Sequence, residues 1–136
     1  MPSTEKILGD ICGDNIEAKA FCDSLYNFLH LLDDLYDKDH DVTAQELGWI
    51  TIQALETFAA NRFFQNHVYT LMPAVRSSII SWVDSEEWHN RDGNDAIAAH
   101  VIKSQYHEVL WMVAGIVGGL EHQMEMTRRY RDYDWS

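Results

Sequence analysis

Apolar residues along this chain recur at intervals of three and four rather than two, the spacing of one face of an α-helix. Phe21, Leu25, Phe28, Leu32 and Leu35 predict a first main helix from about Asn15 to Lys38, with these side chains as its buried stripe. A short helical piece precedes it, and the polar turn Asp39-His40-Asp41 ends it. Thr43 followed by Glu46 forms a capping box, in which hydroxyl and carboxylate each satisfy an orphan backbone N–H. A second helix therefore starts there and ends near Asn61, with Leu47, Ile50, Ala54, Leu55 and Phe58 facing inward. A third region runs from Phe63 to about Trp88, with Val75, Ile79, Ile80 and Val83 inward. Pro73 predicts a kink in it, or a new helix with proline in its first turn. Asn90 to Asp95 read as a loop and N-cap cluster, and the last helix extends from Asp95 to about Arg129, with a bend at Gly118-Gly119. The expected fold is all-α: an antiparallel bundle of about four main helices in a single domain over residues 1–136.

The last helix carries two faces. Ile102, Tyr106, Val109, Val113, Ile116 and Leu120 make one stripe; His100, Ser104, His107, Trp111, Gly118 and His122 lie opposite. No polar residue interrupts Val109 to Leu120, so both sides should be covered. Gly115 and Gly119 permit close backbone approach at a cost of ~1 kcal/mol each in a helix interior. Trp111, Gly115 and Gly119 are thus expected to meet another helix, within the chain or across a homodimer interface. Met112, Met124 and Met126 read as core fillers, Trp82, Trp88 and Trp135 as edge anchors, and the tail RRYRDYDWS as packed.

Composition narrows the function classes. Ten Lys and Arg stand against 22 Asp and Glu, a formal charge of −12 over 136 residues. That balance repels phosphate backbones, which disfavours direct nucleic-acid binding, and suits a basic protein partner. The opening MPSTEKILGD lacks the basic and long apolar regions of a signal peptide, and the run from Val109 to Leu120 is too short to span a bilayer. With Cys12 and Cys22 as the only cysteines, a pair of thiols is expected rather than a disulfide framework, and the location expected is cytoplasmic, without membrane attachment.

Three groups of residues could carry chemistry. Asp33, Asp34 and Asp37, with His30 one turn earlier, have helical carboxylate spacing of the kind that holds Mg²⁺ against a diphosphate. Periodicity puts His30, Asp34 and Asp37 on the outer side, with Asp33 alone bordering the core, so a solvated acidic face is the simpler reading. Asp37-Lys-Asp39-His-Asp41 has the opening spacing of a Ca²⁺-binding EF-hand, but Val42 and Gly48 replace its glycine and closing glutamate. A complete loop is excluded; adventitious Mg²⁺ or Ca²⁺ binding is the most it allows, and no resident cofactor is expected. On the last helix, His100, Ser104, His107 and Glu108 form a candidate buried polar site, which a carboxylate such as Asp33 would complete for a metal or for acid–base work. Histidines hydrogen-bonded within a core or interface account for the same pattern.

The stretch Phe28 to Asp37 resembles the first aspartate-rich motif of isoprenoid synthases and, more loosely, the acidic helices of all-α nucleotide pyrophosphohydrolases. No second metal motif of the former and no paired glutamates of the latter are present. Over about half its length the chain resembles a family of small uncharacterised phage and prophage proteins, on Phe28 to Thr43, Tyr106 to Gly119 and Arg131 to Asp134. That resemblance implies a phage source, hence a host cytoplasm, and no activity. The leading expectation is a small acidic interaction protein that binds a protein partner or self-assembles as a homo-oligomer. A metal-dependent phosphohydrolase or pyrophosphatase using Asp33, Asp34 and Asp37 ranks second, and an acidic mimic of nucleic acid that inhibits a host protein third.

Overall fold

A computed structural model describes residues 3–37, 41–92 and 95–133, with side chains for 3–35, 41–84 and 104–133. Among the described residues the chain is all-α: α1 (Thr4–Cys12), α2 (Ile16–Asp37), α3 (Ala44–Ala60), α4 (Arg62–Asn66), α5 (Val68–Asp92), α6 (Asp95–Gly118) and α7 (Leu120–Tyr130). Backbone contacts gather these into two compact units, residues 16–68 and residues 1–15 with 69–136.

In the unit of residues 16–68, α2, α3 and α4 pack on one another. Thr43 starts α3 as expected, its hydroxyl accepting from the Glu46 N–H at 3.1 Å. Asn61 separates α3 from α4 and serves both: its side-chain oxygen accepts from the Phe64 N–H at 2.8 Å, and its amide donates to the Glu17 carbonyl on α2 at 2.9 Å. Phe21 stacks on Phe64 at 5.5 Å and tilts against Phe63 at 6.3 Å, which fixes the short α4 against α2. The buried side of α2 is Ala18, Phe21, Cys22, Ser24, Leu25, Leu29 and Leu31, whereas Phe28 and Leu32 are half-buried and Leu35 is exposed. The predicted stripe therefore holds only for Phe21 and Leu25. Apolar residues at 25, 28, 29, 31 and 32 offer more than one stripe, and packing chose among them.

The third region breaks at His67, between α4 and α5, rather than at Pro73. The His67 N–H closes a tight turn on the Phe64 carbonyl at 3.2 Å, and its ring lies 5.0 Å from Phe63. Pro73 sits in the second turn of α5, and the helix continues through it. The missing N–H forfeits one bond, to the Tyr69 carbonyl. On α5, Leu71, Val75 and Ser78 are buried; of the expected inward set, Ile79 is half-buried and Ile80 and Val83 are exposed. The expected loop at 90–95 lies partly outside the described residues.

In the other unit, α1, α6 and α7 pack on one another. The predicted last helix is two helices, parted at Gly119, whose φ of +88° is left-handed and favours glycine. The turn lets α7 fold back on α6. A Cβ on Gly115 would collide with the Gln123 side chain, and one on Gly118 would lie 2.7 Å from the His122 Cβ. The close approach expected at Gly115 is thus made by α7 of the same chain, with Gly118 beside it; at Gly119, where it was also expected, a Cβ would meet nothing within 4 Å. His122 Nε2 donates to the Ile11 carbonyl at 2.9 Å, satisfying one of the orphan acceptors at the end of α1. Tyr130 donates to the Asp10 carboxylate, and Tyr133 shares a 3.0 Å hydrogen bond with Thr4, so the tail packs as far as Tyr133; Trp135 lies outside the described residues. Leu120, placed on the buried stripe by periodicity, and Met124, read as a core filler, are exposed instead, both lying beyond the turn at Gly119. Met126 is buried and Met112 half-buried. No helix among the described residues is long and apolar enough to cross a membrane.

Candidate functional site

The aspartates of α2 do not occupy a purely solvated face. His30, Asp33 and Asp34 are all half-buried, and the His30 ring packs 4.3 Å from Tyr26. The side chains of Asp37, Asp39 and His40 lie outside the described residues, as does that of His100, and Asp41, which ends the EF-hand-like turn, is exposed. On α6, His107 is buried with its ring 5.2 Å from Trp111, Ser104 is half-buried and Glu108 is exposed. Trp111 is itself buried, Gly115 half-buried and Gly119 exposed. Cys12 and Cys22 are buried thiols. Among the described residues no three His, Cys, Asp or Glu side chains gather into a group that could hold a metal.

An electrostatic cluster joins α1 to α7. Asp10 accepts from Tyr130 and from Lys6 Nζ at 2.9 Å, with Arg129 3.9 Å away. The Tyr130 hydroxyl, then Lys6, hold the Asp10 carboxyl below the ordinary carboxylate range, and the same bond raises Lys6. On α7, Arg129 and then Arg128 depress Glu125. These groups are largely hydrated and each charge is matched, which is the pattern of a clamp between helices rather than of a reactive centre.

The feature that periodicity misread is α3. Of its expected inward face, Leu47, Leu55 and Phe58 are exposed, and Ile50 and Ala54 are half-buried. Two further apolar residues, Trp49 and Ile52, also face outward. These five side chains are 42–63 % exposed and form two adjoining stripes, Leu47-Thr51-Leu55-Phe58 and Trp49-Ile52-Glu56-Ala59. The inner side is more polar. Gln53 accepts from the Asn27 amide of α2 at 3.1 Å, and the buried Thr57 donates to the Gln53 carbonyl at 2.8 Å. The helix is thus turned with its bulky apolar residues outward, held by satisfied polar contacts on the inside. Glu46 and Glu56 are its only charged residues, so the outer face has an acidic edge and no cation. One sign was present in the sequence: Trp49 and Ile52 lie off the expected stripe, and no single inward face accommodates them with Leu47 and Phe58.

The chain matches no protein-family model, no characterised protein and no solved structure.

Proposed function

We propose that this chain acts by binding protein, with the outer face of α3 as its docking surface. One observation carries the reading: five large apolar side chains stand outward on one helix while polar groups of that helix face inward. A contiguous apolar surface of this kind is costly to keep in water and marks an interaction site when it recurs in register along a helix. Covering the exposed halves of Trp49 and Phe58, ~100 Å² each, would contribute roughly 2–3 kcal/mol apiece at about 25 cal/mol per Å². Tryptophan, here Trp49 near one end of the patch, is also a residue type on which binding energy concentrates. The acidic edge at Glu56 favours a partner surface bearing Lys or Arg where it meets this face. The reading keeps the phage source that the resemblance of Phe28–Thr43 and Tyr106–Gly119 implies.

A photo-cross-linking residue at position 52 tests this, with position 66 on α4 as the control. Protein adducts should form at 52, not at 66, and Leu55→Glu should suppress them. Equal adducts at both positions, or adducts indifferent to Leu55→Glu, would remove the proposal.

A further inference from the structure

The described part of α5 carries a second outward apolar stripe, in the other unit of the chain. Tyr69, Met72, Arg76, Ile80 and Val83 follow steps of three and four, so they share one side of the helix. Its four apolar members are 39–95 % exposed, and Arg76, at the middle, is exposed as well. The buried residues Leu71, Val75 and Ser78 lie on a different side, so this stripe is not the edge of a core face.

The two stripes are complementary. The outer face of α3 has an acid, Glu56, and no cation; the stripe of α5 has a cation, Arg76, flanked on both sides by large apolar groups. The α5 stripe is long enough to cover the α3 face: Leu47 to Phe58 spans ~16 Å and Tyr69 to Val83 ~21 Å at 1.5 Å per residue. Pairing α3 with α3 would set Glu56 against a face without a cation, and pairing α5 with α5 would bring two Arg76 side chains to one seam. Only the mixed pairing covers apolar surface on both helices and matches charge at once.

Resting on the protein-binding reading of α3, we infer that the occupant of its outer face is a second copy of this chain, which lays the Tyr69–Val83 stripe of α5 on it. The contact is heterologous: each copy offers a different helix to its neighbour. Glu56 of one copy meets Arg76 of the next, with Trp49, Ile52 and Leu55 against Met72 and Ile80 around the pair.

Sedimentation velocity of the full chain over a range of concentration tests this by charge exchange. Wild type should associate reversibly. Glu56→Arg and Arg76→Glu should each weaken association roughly fivefold or more, since each places like charges at the seam, and the double variant should recover most of the loss. Both positions are exposed, and circular dichroism should show unchanged helix content in every variant. A wild-type chain that stays monomeric throughout, or a double variant no better than the singles, overturns the inference. If, in addition, cross-linking at position 52 to another protein still depends on Leu55, the docking reading of α3 stands and only its occupant is wrong. If Leu55→Glu is silent in both assays, both readings fall.

Discussion

Helices α3 and α6 are both rich in large apolar side chains, yet among the described side chains α6 buries most of them and α3 turns most of them outward. In α6, Tyr106, Val109, Leu110, Trp111, Val113 and Ala114 are all buried, leaving Glu108 outward and Met112 at the boundary. Two helices of the same unit, α1 and α7, press on it, and Gly115 and Gly118 let α7 come close. In α3, α2 and α4 cover one side, and that side carries Gln53 and Thr57. Apolar content alone therefore does not decide burial. Each helix has two neighbours, and what decides is how much of its circumference they cover; a helix with more apolar circumference than its neighbours cover keeps the remainder for something else.

The largest expected effect tests the buried member of the pair. Leu110→Ala should cost about 2–5 kcal/mol, read as a drop in the urea midpoint at unchanged slope, because Leu110 is fully buried. Leu55→Ala, on the outer side of α3, should change stability by less than ~0.5 kcal/mol in dilute monomer. Similar losses at the two sites would mean that α3 is covered in the isolated chain, and the contrast would fail.

Next in size is the turn that lets α7 cover α6. Gly119→Ala places a Cβ at φ +88° and should cost about 1–2 kcal/mol in the same measurement. Gly48→Ala is its counterpart on α3. A Cβ there meets nothing within 4 Å and the backbone is helical, so a gain of ~0.5–1 kcal/mol is expected. A loss at Gly48 would show that α3 is more crowded than its exposure implies.

The smallest effect concerns the clamp of α7 on α1. Because the folded-state pKa of Asp10 is depressed, its contribution is present above its unfolded value, about 3.9, and is lost as pH falls through the lower folded value. Asp10→Asn should flatten the decline in stability between about pH 5 and pH 3. Tyr130→Phe, which removes the leading cause of that depression, should do the same in part. A decline equally steep in both variants would assign the acid sensitivity to other carboxylates.

Much of the fold was legible because helix formation is largely local. The capping box at Thr43, the end of α3 at Asn61 and the span of α2 needed only neighbouring residues to specify them. The last helix was misjudged in one place, where Gly118-Gly119 read as a bend and makes a turn between two helices; a left-handed glycine costs little, but whether it is used depends on α7 having α1 and α6 to pack against. The conspicuous candidates, His30 with Asp33 and Asp34 and the α6 pair His107 and Glu108, were legible as residue types only. Periodicity put His30 and Asp34 outside, and they are half-buried.

By itself the sequence determined that this chain is helical, where α2 and α3 begin and end, and that the apolar run of α6 would be buried from Val109 to Ala114, with Met112 at its boundary, since an apolar run without a polar side leaves no face for water. The orientation of α3 was decided by tertiary structure alone. Apolar residues stand around most of its circumference, so hydrophobicity ranks its faces only weakly. The bonds from Asn27 to Gln53 and from Asn61 to Glu17, together with the ring contacts of Phe64 with Phe21 and Phe58, selected which side turned inward. Contacts between residues distant in sequence made that choice, and they left Trp49, Ile52 and Leu55 facing out.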